Sequence, residues 1–369
     1  MTRPAVPSYG VSTLADLLPS LGAHLGVPGA TDVLGLPDAH RYLLVLIDGL
    51  GWHQLHDHAA HAPNLTGLAE RWITSGVPST TATSITSIGT GLPPGSHGIA
   101  GYSFWYPQAG TVLNTLRWPA DLSGLDVQPQ LTYFERLVGA GVRTATIAPA
   151  HFAGSGLTTA ALRGPSFLPV MDERDKRRRI ELAVHASAAG ERTLSYFYER
   201  QLDHAGHVHG LGSPQWLGEL AAADALVGGL RAALPDDVRL VVTGDHGMVN
   251  VPKARRLLVE DEPDLMVDVT AFAGEGRFRQ LMTPAPDPVA SRWQDRLGPR
   301  AWVRTRPEAI AEGWFGDVNP RLADRFGDVL VAMADDGAVL SRTLPRELDL
   351  VGMHGSLTPA ELAVPLLVA

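Results

Sequence analysis

The sequence contains no cysteine, which excludes disulfides and every metal site built on thiolates. No stretch approaches 18 uncharged apolar residues, so we expect no membrane span. Basic residues are in the minority, with 30 Lys and Arg against 39 Asp and Glu. The resulting net charge of −9 argues against a surface that coats nucleic acid. What remains is an ordinary globular composition, 45% hydrophobic and 19% charged.

A chain of 369 residues is long enough to bury a large core, either as one large domain or as a domain with an insertion. The first residues lack the apolar run of a signal peptide. We therefore expect a cytoplasmic protein, whose oligomeric state the sequence leaves open.

Residues 76–101 are crowded with hydroxyl groups and contain no Lys, Arg, Asp or Glu. The Ser/Thr run predicts a loop that caps a short helix, on which Ile85 and Ile88 can face inward while Thr80 and Thr81 lie at the N-terminus. A helix N-terminus presents free N–H groups and partial positive charge, which suit a phosphate. A threonine hydroxyl there is a candidate nucleophile if its pKa is lowered. The alternative is a plain helix cap.

Two apolar runs end in acidic residues flanked by glycine. Residues 41–47 lead into Asp48, and residues 239–243 lead into Gly244 and the pair Asp245 and His246. Such continuous apolar runs predict strands buried on both faces of a parallel sheet. Open α/β sheets bind ligands at the carboxyl ends of their strands, although either aspartate alone fits a turn equally well.

Two further segments supply possible metal ligands. Asp203 and His207 are four residues apart, close enough on one helical turn to share an ion. His354 precedes the apolar run 362–368. Because three aspartates on one rim would repel each other, we expect two divalent cations among them. Oxygen and nitrogen ligands fit Zn²⁺ best, with Mn²⁺ or Fe²⁺ as alternatives.

The alternation of strands and helices predicts an α/β fold with a mostly parallel central sheet flanked by helices. Residues 252–340 differ in composition, with a proline-rich segment at 284–288 and scattered charge. We interpret them as a smaller lobe or insertion, and assign residues 1–251 and 341–369 to the catalytic core.

Three other clusters have simpler interpretations. The histidines of residues 53–61 are predicted to lie on a solvated helix, and so is the basic run 174–179. The aromatic patch 102–106 is interpreted as core, with a pocket wall as the alternative.

The ordered motifs resemble the type I phosphodiesterase/nucleotide pyrophosphatase branch of the alkaline phosphatase superfamily. The resemblance covers about residues 41–360. The matching segments are Leu46-Ile47-Asp48-Gly49, Pro78-Ser79-Thr80-Thr81 with residues 90–99, Asp203-x3-His207-x2-Gly210, Gly244-Asp245-His246-Gly247 and His354-Gly355.

This resemblance implies an alkaline phosphatase-like fold and a two-metal hydrolase of phosphodiester or pyrophosphate bonds in small phosphate esters. It places Thr81 as the nucleophile that forms a phospho-threonine intermediate. It also implies the two ligand sets: Asp48, Asp245 and His246 with the Thr81 oxygen, and Asp203, His207 and His354.

The sequence departs from the family pattern at two positions. The family usually has an aromatic residue after the nucleophile, which stacks on a nucleotide base, and here it is Ala82. It often has an asparagine three residues after the nucleophile, and here Ser84 is expected to donate one hydrogen bond to a phosphoryl oxygen instead.

Other functions compete with this interpretation. The sulfatase branch needs a Cys/Ser-x-Pro-x-Arg motif, which is absent. A phosphomonoesterase or phosphonate hydrolase is the nearer alternative. Monoesters carry an extra charge and usually recruit a positive side chain, and the absence of Lys and Arg between Arg71 and Arg117 favours diesters. A distant arginine such as Arg277 or Arg279 would change that argument. A metal-binding structural module, which is not an enzyme, would need the ligands but not Thr81.

Overall fold

The computed structural model describes residues 3–369 of the chain. Its strands are β1 (Arg41–Ile47), β2 (Ala69–Thr74), β3 (Ser103–Tyr106), β4 (Thr111–Asn114), β5 (Arg143–Pro149), β6 (Ser166–Val170), β7 (Thr193–Glu199), β8 (Val238–Gly244), β9 (Val249–Asn250), β10 (Arg256–Leu258), β11 (Ala271–Glu275), β12 (Phe278–Met282), β13 (Ala301–Thr305), β14 (Val329–Met333), β15 (Ala338–Leu340), β16 (Gly352–Met353) and β17 (Ala363–Val368). Its α-helices are α1 (Leu17–His24), α2 (Trp52–Asp57), α3 (Pro63–Thr66), α4 (Thr81–Thr90), α5 (Pro94–His97), α6 (Gly124–Val127), α7 (Tyr133–Gly139), α8 (Gly156–Leu162), α9 (Lys176–Ser187), α10 (Gln201–His209), α11 (Pro214–Ala233), α12 (Pro286–Leu297), α13 (Arg306–Ala311), α14 (Pro345–Leu348) and α15 (Pro359–Leu362).

Seven strands form the central sheet, in the order β2-β17-β8-β1-β7-β5-β6. The five strands from β8 to β6 run parallel, while β17 is antiparallel to both of its neighbours. This arrangement confirms the mostly parallel α/β fold. Since β8, β1 and β7 are adjacent and parallel, the segments that follow them meet at one edge of the sheet.

Helices cover both faces of the sheet, because the central strands are apolar on both sides. Alternate residues of β1, such as Leu44 and Leu46, pack with α1, α4 and α7 on one face. Leu43 and Val45 pack with α11 on the other. Among residues 3–369, no helix combines the length and the apolar character needed to cross a bilayer.

Residues 252–340, which we call the inserted lobe, contain a sheet of their own. Its strands pair antiparallel in the order β11-β12-β14-β13, and Trp293 of α12 packs into its core. The strands β10 and β15, which lie near the two ends of this segment, pair with each other in parallel. The predicted boundaries of the lobe remain a proposal. The proposal is supported by the separate four-stranded sheet, all of whose strands lie within residues 252–340.

The basic run 174–179, which includes the first turn of α9, is only partly exposed. Arg177 and Arg178 are exposed, and each pairs with Glu181 on its own helix. Arg179, in contrast, is buried and pairs with Glu199 at the end of β7. The run therefore stabilises the core as well as facing solvent, because helical periodicity turns every third or fourth residue inward.

Candidate active site

Asp48 and Asp245 lie side by side at the carboxyl edge of the central sheet. They follow β1 and β8, which pair in register at Ile47 and Gly244. Gly49 donates its backbone N–H to Asp245 Oδ1 over 2.9 Å. Glycine is needed there because φ is +75° and a Cβ would lie 2.9 Å from Asp203 Cα.

The two carboxylates share a buried, water-poor environment. Burial is the main cause that raises the pKa of Asp48 well above its ordinary value, and the charges of Asp245 and Asp203 raise it further. Burial likewise raises the pKa of Asp245. Tyr198 donates its hydroxyl hydrogen bond to Asp48 Oδ2. A pair of buried acids with raised pKa values is a typical setting for bound cations, which compensate the negative charge.

Thr81 opens helix α4, with its hydroxyl directed at this pair. Its Oγ1 lies 3.4 Å from Asp48 Oδ1 and 3.2 Å from His246 Nε2. Thr80 is the N-cap residue in an extended conformation, and Ile85 and Ile88 are buried as the sequence predicts. The first N–H groups of α4 have no partner within the helix, as at the start of any α-helix.

Asp203, His207 and His354 form the neighbouring group. His207 Nε2 lies 3.4 Å from Asp203 Oδ2, one turn along α10. His354 Nε2 lies 4.0 Å from Asp203 Oδ1. The Nδ1 atoms of both histidines face backbone carbonyls, Gly352 O at 2.8 Å and Ser79 O at 2.9 Å. A ring that donates through Nδ1 keeps Nε2 free as a ligand atom.

The donor atoms fit divalent cations. Among residues 3–369, two sets of ligand atoms lie within 4.8 Å of one another: Asp48, Asp245 and His246, and Asp203, His246 and His354. The first matches a predicted set. The second contains His246 at the place where the family resemblance implies His207. Asp203 Oδ1 and Asp245 Oδ2 are buried without a hydrogen-bond partner, which leaves each oxygen available to a cation.

The structure gives Ser84 a partner within the protein. Its hydroxyl donates to the carbonyl of Asp245 over 2.7 Å, and the residue is fully buried. The bond holds the strand end that carries Asp245 and His246 against α4. A hydrogen bond from Ser84 to a phosphoryl oxygen stays a prediction.

One cavity of about 790 Å³ opens onto Thr81, a volume typical of sites for small molecules. Asp48, Asp203, His207 and His354 line it together with Thr81. Of the aromatic patch, Tyr102 lines the cavity, whereas Phe104 and Tyr106 are core residues.

The cavity also contains residues that the sequence does not predict. Glu275, at the end of β11, reaches the site from the inserted lobe and places Oε2 3.5 Å from His354 Nδ1. Burial raises the pKa of Glu275 well above its ordinary value. Arg117 and Arg346 also line the cavity, and their guanidinium groups have no hydrogen-bond or ion-pair partner in the described part of the chain. No motif of the sequence marks these three positions.

Arg277 and Arg279 do not reach the cavity. Both are buried in the lobe, Arg277 against Glu361 and Arg279 against Glu347. Neither guanidinium is therefore free to recruit a phosphate, and the cavity takes its unpaired positive charge from Arg117 and Arg346 instead.

The comparisons with known proteins agree on the fold. The model of the family "type I phosphodiesterase / nucleotide pyrophosphatase" matches residues 42–357. No curated protein matches the chain.

Among solved structures, murine ectonucleotide pyrophosphatase/phosphodiesterase 5, an inactive threonine-to-alanine variant in complex with AMP, is 19% identical with a TM-score of 0.71, over 89% of this chain and 87% of that one. The human protein of the same name is 18% identical with a TM-score of 0.69, over 89% and 87%. Phosphonoacetate hydrolase from Sinorhizobium meliloti, in complex with phosphonoacetate, is 21% identical with a TM-score of 0.67, over 90% of both chains.

Proposed function

The chain belongs to the type I phosphodiesterase/nucleotide pyrophosphatase family of metal-dependent hydrolases, and on that basis we propose that it cleaves phosphodiester or pyrophosphate bonds through a phospho-threonine intermediate on Thr81. The observation that carries this proposal is the position of the Thr81 hydroxyl, at the start of α4 and within 3.4 Å of both Asp48 and His246. A hydroxyl that served only as a helix cap would bond to its own helix, and Thr81 faces the acidic site instead.

Two ions are proposed, most simply Zn²⁺, with Mn²⁺ or Fe²⁺ as alternatives. Asp48, Asp245 and His246 would hold one ion together with Thr81, and Asp203, His207 and His354 would hold the other. Bound divalent cations lower the pKa of a hydroxyl and stabilise the charge of a leaving oxygen.

The chain itself orients the reacting groups. Thr81 attacks phosphorus with its deprotonated oxygen, so that the Thr81–phosphorus bond forms as the bond to the leaving oxygen breaks. The N–H groups of the first turn of α4 face the phosphoryl oxygens and stabilise their charge. Water then attacks phosphorus and releases Thr81. The Ser84 hydrogen bond to the Asp245 carbonyl holds the strand end in place during both steps.

Substitution of the hydroxyl tests the proposal. Thr81→Ala is expected to abolish hydrolysis of bis(p-nitrophenyl) phosphate while the protein keeps its metal content, because six other side chains supply ligands. Thr81→Ser should keep part of the activity. The matched control is Thr86→Ala on the same helix, whose hydroxyl donates to the Ala82 carbonyl. Wild-type rates in Thr81→Ala would contradict the proposal.

The stereochemical course tests the covalent intermediate separately. Two successive in-line displacements at phosphorus restore the original configuration, whereas direct attack by water or an alcohol inverts it. A chiral phosphorothioate diester turned over with an external alcohol acceptor should therefore show retention. Inversion would assign Thr81 a role other than nucleophile.

A phosphomonoesterase or phosphonate hydrolase is the second candidate, and one observation favours it. Arg117 and Arg346 line the cavity with unpaired guanidinium groups, so they can bind the extra negative charge of a monoester or of a phosphonate with a second acidic group. A higher kcat/KM for bis(p-nitrophenyl) phosphate than for p-nitrophenyl phosphate would support the diesterase, and the reverse order would support the monoesterase.

A further inference from the structure

The cavity extends from Thr81 into a region with mainly apolar walls, which we call the inner chamber. Its walls are the apolar side chains of Ile85, Ala148, Phe152, Leu157, Leu162 and Phe167. Ile85 lies four residues after Thr81 and therefore on the same face of α4. The chamber thus begins directly beside the proposed nucleophile, at the point where Ala82 contributes only a methyl group.

Two hydroxyl groups interrupt this apolar wall. Thr146 and Tyr196 both line the cavity, are only 2% and 1% exposed, and have no hydrogen-bond partner for their hydroxyls among residues 3–369. They occupy paired positions on the adjacent strands β5 and β7, so their side chains lie next to each other on the same face of the sheet. A buried hydroxyl without a partner destabilises the protein, and a ligand that accepts its hydrogen bond removes that cost.

The surroundings of Tyr196 fix its ring. Phe134 packs against it edge to face, with ring centroids 6.2 Å apart. Burial raises the pKa of Tyr196 well above its ordinary value, so its oxygen keeps the proton and can donate. The hydroxyl is therefore a fixed donor in an otherwise apolar region.

We propose that the inner chamber binds the organic group of the substrate, and that this group is an apolar ring or short chain with one hydrogen-bond acceptor facing Thr146 and Tyr196. The inference rests on the proposed function, because it takes the phosphorus to lie at Thr81. A group with many donors and acceptors, such as a nucleobase, would leave several of them unpaired against the apolar wall.

Binding of three phosphonates to the metal-loaded protein, measured by calorimetry, tests the proposal without turnover. Methylphosphonate, phenylphosphonate and 4-acetylphenylphosphonate share the phosphonate group and differ in the organic part. We expect phenylphosphonate to bind about tenfold or more tighter than methylphosphonate, because the ring transfers apolar area from water. The acetyl oxygen should add about fivefold through its hydrogen bonds.

Variants locate the binding. The double variant Tyr196→Phe and Thr146→Val removes both hydroxyls at nearly constant shape. In this variant, 4-acetylphenylphosphonate should bind no more tightly than phenylphosphonate, while phenylphosphonate should still bind more tightly than methylphosphonate. Leu157→Trp narrows the chamber and should reduce the gain from the ring. The matched control is Ser195→Ala, which removes another buried, unpartnered hydroxyl from β7 that does not line the cavity. Its affinities should equal those of the wild type.

Equal affinity for methylphosphonate and phenylphosphonate would show that the chamber holds only water, and would overturn the inference. So would a gain from the ring that survives Leu157→Trp, or a gain from the acetyl group that survives removal of both hydroxyls. The proposed function is tested by turnover in Thr81→Ala, which is independent of these affinities. Each proposal can therefore fail while the other stands.

Discussion

Arg277 and Glu361 form a buried two-point ion pair that joins the inserted lobe to the segment after His354. The Nε and terminal guanidinium nitrogen of Arg277 lie 2.7 and 2.8 Å from the two carboxylate oxygens, and both side chains are fully buried. Glu361 Oε1 also accepts the backbone N–H of Ser356 over 3.0 Å. The lobe therefore helps to fix the loop that positions His354.

Loss of this pair should destabilise the fold. Arg277→Met leaves the Glu361 carboxylate buried without its partner, so we expect the free energy of unfolding in urea to fall by about 3–5 kcal/mol. The control is Arg177→Met, since Arg177 is 90% exposed and pairs with Glu181 on the helix surface. That change should cost about 0.5 kcal/mol or less. A similar loss in both variants would contradict the assignment.

Removal of either predicted histidine ligand should lower metal content. Wild-type protein purified without chelator should contain about two transition-metal ions per chain by elemental analysis. His207→Ala and His354→Ala should each lower the binding affinity for one ion by more than about tenfold in a chelator titration. The exposed His53 offers the control, as His53→Ala should retain both ions. This measurement also decides whether His207 is a ligand, although it lies outside the two sets of converging atoms.

The buried His97 should make stability depend on pH. Its Nε2 lies 3.0 Å from Ser87 Oγ and its Nδ1 accepts the Ile99 N–H, while burial and the charge of Arg325 lower its pKa to about 3. Unfolded histidine titrates near about pH 6.5. Between these values the unfolded chain binds the extra proton, so the contribution is complete above about pH 6.5 and is lost as the pH falls toward 3.

The measurement is urea denaturation at pH 7, 6 and 5 and constant ionic strength. The expected slope from this one group is at most about 1.4 kcal/mol per pH unit. The His97→Gln side chain keeps a donor and an acceptor but does not titrate. The free energy of unfolding of this variant should therefore depend less steeply on pH, by up to about 1.4 kcal/mol per pH unit. Parallel profiles for the two proteins would show that His97 does not carry the effect.

Arg117 and Arg346 should favour substrates with extra negative charge. The double variant Arg117→Gln and Arg346→Gln should lower kcat/KM for p-nitrophenyl phosphate by about tenfold or more, because a hydrogen bond to a charged group is worth about 1.5–3 kcal/mol. The value for the singly charged bis(p-nitrophenyl) phosphate should change by less than about twofold. Arg321, exposed and outside the cavity, provides the control substitution Arg321→Gln. Equal losses on both substrates would refute a role in charge recognition.

The sequence predicts those parts of the site in which one segment carries both its structural signal and its chemical group. The apolar run of β1 ends at Asp48, and that of β8 ends at Asp245 and His246. The spacing of Asp203 and His207 fits one turn of a helix, and both lie on α10. Strand ends and helical turns are local features, so short-range patterns are sufficient to find them.

Residues that reach the site through tertiary packing had no such signal. Glu275 belongs to the lobe and meets His354, far from it in the sequence, only through the tertiary packing of the folded chain. Arg277 and Arg279 illustrate the same difficulty, since an arginine in a sequence does not reveal that a buried glutamate binds it. The alternation of side chains along β7 could have predicted that Tyr198 contacts the site. Tyr198 faces the same side of β7 as Tyr196 and lies close to the end of the strand.

The position of Glu275 beside Gly355 limits how this enzyme can be rebuilt. The backbone at Gly355 has φ of +124°, and a Cβ there would lie 2.8 Å from the Glu275 side chain. The lobe and the core thus fit each other to within the size of a methyl group next to a proposed metal ligand. A chimera that exchanges residues 252–340 for the lobe of another hydrolase would therefore inherit a new wall for its active site, and would have to be selected for both folding and substrate choice at once.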